Sequence, residues 1–226
     1  MGTISCLHIS DLHFGELDNS GVESFHINIC NDLKENAQYI DYIICSGDIF
    51  YGKTLDREKI LELAIGFFKK LMTRLNKLSL GNNKIITEND FIFVPGNHDI
   101  IRNDDKDIYS LYKKFLISFY TLDRYEILYD PIHLSTTRIE YDKKIVIIGL
   151  NSCALVQQIT NQDRQWIDKL NLSSLALGTE RENEIKSLLL SSKYEFDDYG
   201  EISMEQLTDT FDNLLQNITD IESYRV

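Results

Sequence analysis

The sequence predicts an α/β fold whose functional end lies where parallel strands give way to loops. Three observations carry that prediction. The apolar runs Thr3–Ile9, Tyr42–Cys45 and Phe91–Val94 have the length and the β-branched or aromatic content of buried strands. Stretches of helical periodicity separate them. Each run then ends in side chains that can act as ligands: Asp11-Leu12-His13, Gly47-Asp48, and Gly96-Asn97-His98-Asp99. In an open α/β sheet, ligands bind just outside the carboxyl ends of the strands.

Strand Thr3–Ile9 leads through a loop bearing Gly and Asp to a predicted helix over Val22–Tyr39. Strand Asp41–Cys45 follows, then a long helix from Asp56 to Leu78. Its apolar positions Ile60, Ala64, Phe67, Leu71, Leu75 and Leu78 recur at helical spacing. Glu58 and Glu62 near its start, and Lys69, Lys70, Arg74 and Lys77 near its end, complement the helix dipole. Those cations read as a solvated helix end. Gly81-Asn82-Asn83 marks a loop before strand Phe91–Val94. A further helix is expected over Asp105–Leu122, with Ile108, Leu111, Tyr112, Phe115 and Phe119 on one side. Arg138–Tyr141 and Lys144–Leu150 read as a hairpin turning at Asp142-Lys143. Trp166 and Leu170 are expected as core contacts of a short helix. Ser191–Tyr199 reads as a polar, acidic loop. Ser203–Leu215 reads as a last helix, with Ser203 as N-cap and Gln206 three residues on. The chain accordingly divides into residues 1–155, an α/β unit, and residues 156–226, an acidic helical segment that continues the same domain.

The net charge is −13, and residues 156–226 hold 14 Asp+Glu against 6 Lys+Arg. No basic stripe with interleaved aromatics marks that segment as a nucleic-acid grip. No apolar run is long enough to span a bilayer. The N-terminus lacks a basic region followed by an apolar one. The four cysteines show no C-x-x-C spacing, and Cys6, Cys45 and Cys153 are expected as small buried hydrophobes. A reduced, cytoplasmic protein with no membrane partner is expected.

Taken singly, each strand-end motif is ordinary turn chemistry. Pro95-Gly96-Asn97 is a good turn, and Gly47-Asp48 is another. Three in succession, each delivering carboxylate, amide or imidazole, are not explained by turns alone. Oxygen and imidazole donors together suit hard or borderline divalent cations such as Mn²⁺, Fe²⁺ or Zn²⁺. The glycines let backbones approach where a Cβ would hinder them.

Ile9-Ser10-Asp11-Leu12-His13-Phe14-Gly15, Ser46-Gly47-Asp48 and Val94-Pro95-Gly96-Asn97-His98-Asp99 resemble the first three signatures of the calcineurin-like metallophosphoesterases. Gly149-Leu150-Asn151-Ser152 resembles the strand end that follows them. The resemblance spans about Thr3–Ser152 and implies a sandwich of mixed sheets flanked by helices. It implies that two divalent cations, Mn²⁺ foremost, are held by Asp11 and His13 on one side, Asn97 on the other and Asp48 between. It further implies that His98 lies beside the substrate, steadying phosphoryl oxygens or protonating the leaving group, and that Asp99 orients His98 or shapes the loop. Two cations about 3.5–4 Å apart can clamp an in-line displacement at phosphorus and acidify the attacking water.

The same resemblance calls for two later histidine-bearing signatures, and neither is present. His8 is expected as a packed or hydrogen-bonded strand residue, and His26 and His133 lack the required neighbours. Gly200–Leu207 resembles the helix entry that precedes the first of those signatures, and Tyr224-Arg225-Val226 resembles the start of its strand. The chain is therefore expected to be the N-terminal portion of a longer protein, incomplete at its C-terminus, and on its own weakly active or inactive because metal ligands are missing. The expected function is metal-dependent hydrolysis of a phosphodiester, in a nucleotide or nucleic acid. A phosphomonoesterase, or a scaffold or sensor that has lost catalysis, are the alternatives.

Overall fold

The computed structural model describes residues 3–15, 20–36, 39–51, 56–81, 84–100, 107–153, 179–196 and 202–226. Strands β1 (Cys6–Ile9), β2 (Tyr42–Ser46) and β3 (Phe91–Val94) form a parallel sheet in that order. The register sets Ile9 beside Cys45 and Ser46 beside Val94. All three strands therefore end level, and their loops start side by side.

Helices α1 (Ser20–Asn36) and α2 (Arg57–Lys77) return the chain from β1 and β2. Asp56 caps α2, its carboxylate accepting the Lys59 backbone N–H at 3.3 Å. Of the residues the sequence spaced at helical intervals, Ile60, Ala64, Phe67, Leu71 and Leu75 are buried and Leu78 is half-buried. They meet Phe91 and Phe93 on one face of the sheet. Phe68 lies at the centre, its ring 4.8 Å from that of Phe93.

The helix expected over Asp105–Leu122 is α3 (Ser110–Tyr120), and a further helix that the sequence did not suggest, α4 (Leu122–Leu128), follows it directly. Thr121 between them has φ 76, a conformation that interrupts the helical ladder and that a β-branched residue rarely adopts. The Tyr120 hydroxyl donates to the Phe91 carbonyl at 2.7 Å, fixing the end of α3 to the sheet. With no Gly or Pro at the break and only seven residues beyond it, periodicity gave no sign of α4. Residues 101–106, where the first of these helices was expected to begin, lie outside the described residues.

Strands β4 (Thr136–Glu140) and β5 (Ile145–Gly149) form the expected antiparallel hairpin, with Thr136 opposite Gly149. Gly149 faces the parallel sheet: a Cβ there would come within 2.9 Å of Val94. The opposite face carries Val146, packed on Leu214 and Ile218 of the last helical segment. The layers are thus helices α1–α3, the parallel sheet, the hairpin, and a last helix, numbered α6 (Met204–Asn217). Arg225 bridges Ile145 in parallel, its N–H donating to the Lys144 carbonyl at 2.9 Å.

Three further expectations change. Helix α5 (Thr179–Phe196) runs through most of the segment read as an acidic loop. Glu180 and Glu182 in its first turn favour helix there, and continuous backbone hydrogen bonding carries the polar end along. Ser203 caps α6, accepting the Gln206 N–H at 3.0 Å, but the Gln206 side chain turns inward instead of back to the cap. Cys6 is exposed, because β1 is the edge of the described sheet, whereas Cys30, Cys45 and Cys153 are buried. Trp166 and Leu170 lie outside the described residues. No described helix is long and apolar enough to cross a membrane.

Candidate metal centre

The loops that leave the three strands are joined by main-chain hydrogen bonds. The Asp11 N–H donates to the Gly47 carbonyl at 3.2 Å, His13 to Asp48 at 2.9 Å, and Phe14 to Ile49 at 2.8 Å. Asp11, His13 and Asp48 all have positive φ, at 57, 48 and 55. Such strain in non-glycine residues persists only where the surroundings hold it, and it concentrates at functional sites. The third loop closes on the second through two glycines. Gly47 has φ 99, and a Cβ there would sit 2.7 Å from Gly96. A Cβ on Gly96 would sit 2.2 Å from an Asp48 carboxylate oxygen.

These contacts bring Asp11, His13 and Asp48 together, with one ligand atom from each lying within 4.8 Å of the others. Nε2 of His13 is 3.8 Å from the Asp11 carboxylate. Its Nδ1 is buried and has no hydrogen-bond partner among the described residues. One imidazole and two carboxylates that present donor atoms within reach of one another are a donor set a divalent cation takes, so the residues fit a metal. Asn97 begins a short 3₁₀ turn, Asn97–Asp99, in the third loop. The His98 N–H donates to Asp48 Oδ1 at 2.9 Å, which orients that carboxylate. The His98 ring stands edge-on to His13, with centroids 4.7 Å apart, and nearly parallel to Tyr51 at 5.9 Å.

Asp99 is 1% exposed. Its carboxylate accepts the Phe50 and Gly96 N–H groups, both at 2.9 Å, and so ties the second loop to the third. Burial pushes its pKa up to about 7, against the lowering effect of those two donors. His98 is not among its hydrogen-bond partners in the described residues.

The remaining histidines lie apart from this centre. His8 is exposed, and its Nε2 lies 2.6 Å from Ser46 Oγ. His26 is buried against Phe67. His133 is buried 3.1 Å from Asp209, with Asp130 beside it. Sequence reasoning missed this pair because Asp209 is far along the chain and only the packing of α6 delivers it. Asn151 is likewise structural: it donates to Tyr109 and to the His133 carbonyl, and its backbone N–H meets Gln206. Tyr51 was also unforeseen. Its place three residues after Asp48, in a loop that turns back on Phe14, was the available signal.

Carboxylates and imidazoles gathered at level strand ends, over a mixed α/β sandwich, form a candidate divalent-metal centre. The chain belongs to the calcineurin-like phosphoesterase family, whose model matches residues 4–222. A search of curated proteins finds no match to this chain. The family acts on phosphoesters with divalent metals, and the cluster of Asp11, His13 and Asp48 agrees with that use.

Proposed function

We propose that this chain hydrolyses phosphodiesters in nucleotides or nucleic acids. The observation that carries the reading is the convergence of Asp11, His13 and Asp48, with the His98 ring edge-on to that of His13. Divalent cations bound there, Mn²⁺ first and Fe²⁺ or Zn²⁺ as the others, would supply Lewis acidity and a nucleophile at neutral pH. Asp11 and His13 would hold one cation and the Asn97 amide oxygen the other. Asp48 would bridge them, since a carboxylate has two oxygens to share. The His98 ring steadies the phosphoryl oxygens or gives its proton to the leaving oxygen. Asp99 shapes the paired loops that present these groups.

Hydrolysis of bis(p-nitrophenyl) phosphate and of p-nitrophenyl phosphate, each with Mn²⁺ and with chelator, tests the reading. The diester should turn over faster, and chelator should abolish it. Preference for the monoester would make the protein a phosphomonoesterase. Metal binding without hydrolysis of either would make it a scaffold or sensor.

A further inference from the structure

Tyr51 lies three residues after Asp48 in the second strand-end loop, and its main chain is pinned. The Phe50 N–H donates to the Asp99 carboxylate and the Tyr51 N–H to the Phe14 carbonyl, both at 2.9 Å. Phe14 and Phe50 form a parallel bridge, and both side chains are buried. In extended backbone successive side chains point to opposite sides, so Phe50 enters the core and Tyr51 turns out toward the metal centre. There its half-buried ring stands 5.9 Å from that of His98, with 18° between the planes. It stands 6.2 Å from that of His13, at 75°. Aromatic pairs attract at both distances, offset-stacked in the first case and edge-on in the second.

A functional imidazole is ordinarily fixed by a hydrogen bond from one ring nitrogen to a carboxylate or a carbonyl. Asp99 was expected in that place, but its two oxygens are taken by the Phe50 and Gly96 N–H groups. Only the backbone N–H of His98 is engaged, with Asp48. Among the described residues no hydrogen bond or ion pair reaches its ring. What holds the ring is contact with two others, His13 edge-on at 4.7 Å and Tyr51 nearly parallel. His13 is a candidate metal ligand, so its own orientation follows the cation. The backbone of Tyr51 is fixed without one.

We infer that Tyr51 is the positioning residue of His98, setting the plane of the imidazole by stacking where a carboxylate would otherwise set it by a hydrogen bond. This rests on the role given to His98 above and adds how that role is achieved. A stacked partner leaves both imidazole nitrogens free, one for a phosphoryl oxygen and one for the leaving oxygen. A carboxylate partner would occupy one of them. Ring pairs of this kind favour one arrangement over its alternatives about 2- to 12-fold.

The test begins in chelator, with NMR of the imidazole Hε1–Cε1 signals of the whole chain. H98A identifies the His98 signal by removing it. Y51A should shift that signal, through loss of the Tyr51 ring current, and Y51F should leave it in place. His8, His26 and His133 lie apart from the centre and serve as controls. With Mn²⁺ and bis(p-nitrophenyl) phosphate, Y51A should lower kcat about 2- to 12-fold, with KM and metal stoichiometry unchanged. Y51F should recover the loss. In the H98A background Y51A should cost nothing further, since a residue that acts through His98 then has nothing to position. If a thermal melt shows Y51A unfolded, Y51L, which keeps bulk without a ring, takes its place throughout.

An unmoved His98 signal in Y51A overturns the inference. So does an equal loss in Y51F, which would assign the hydroxyl instead of the ring. A raised KM at constant kcat would place Tyr51 on the substrate, and an undiminished loss in the H98A background would separate it from His98; either overturns the inference as well. The expected shift in a chain that hydrolyses neither ester would uphold the hold of Tyr51 on His98 and overturn the hydrolytic reading instead.

Discussion

Asp48 meets two demands at the residue scale. Its carboxylate accepts the His98 N–H, and it shares the space of Asp11 and His13. Replacing it with Asn leaves an amide that cannot bridge two cations as a carboxylate does. Asp48→Asn should therefore lose metal first and activity as a consequence. His98→Ala should keep metal content nearly unchanged and lower turnover about 10²–10⁴-fold, the range of general acid–base catalysis. Metal stoichiometry and turnover measured together decide it: if His98→Ala strips the metal while Asp48→Asn retains it, the assignment is wrong. Asp99 gives a pH signature. Its carboxyl titrates near 7 in the folded chain because it is buried, far above an unfolded aspartate near 4. The folded state thus binds a proton that the unfolded state releases. The contribution is complete below about pH 4 and is lost as pH rises through about 7. Melting in chelator should show that decline, and Asp99→Asn should flatten it. An unchanged pH profile in the variant would exclude Asp99 as its source.

At the scale of elements, α2 and α3 hold the sheet through aromatic rings. Phe93 is fully buried, with ring centroids 4.8 Å from Phe68, 4.9 Å from Phe115 and 5.2 Å from Phe119. Phe93→Ala should destabilise the fold by about 3–5 kcal/mol, the cost of a large cavity in a packed core. Ile127 on α4 is 71% exposed, and Ile127→Ala should fall within about 0.5 kcal/mol of wild type. Urea unfolding of both variants checks the contrast. A small loss at Phe93 would mean that the aromatic cluster repacks and does not set the position of β3. That position matters, because β3 launches the loop of Gly96, Asn97 and His98.

For the whole molecule, the strained loops are stabilised by whatever occupies them. A cation at 100 times its dissociation constant adds about 2.7 kcal/mol to the folded state. For a chain of this length that corresponds to a rise in melting temperature of about 5–10 °C. Mn²⁺ should produce such a rise in the wild type and little in Asp48→Asn. Equal rises in both would place the binding elsewhere, with the group Asp130, His133 and Asp209 as the first place to look.

The sequence by itself determined the α/β class, the three strand ends and the chemical type of their side chains. Apolar run length, helical spacing and turn residues are local properties, and they are legible residue by residue. The level ending of the strands was not legible, because register depends on pairing between segments 30 to 50 residues apart. Nor was the spent carboxylate of Asp99, whose donors Phe50 and Gly96 come from two different loops. Helix α4 escaped because its seven residues are too few for a periodic pattern, and only the fold shows that Tyr125 is its buried residue. Burial and strain belong to neighbours in space, and the tertiary structure alone decided which residues became neighbours.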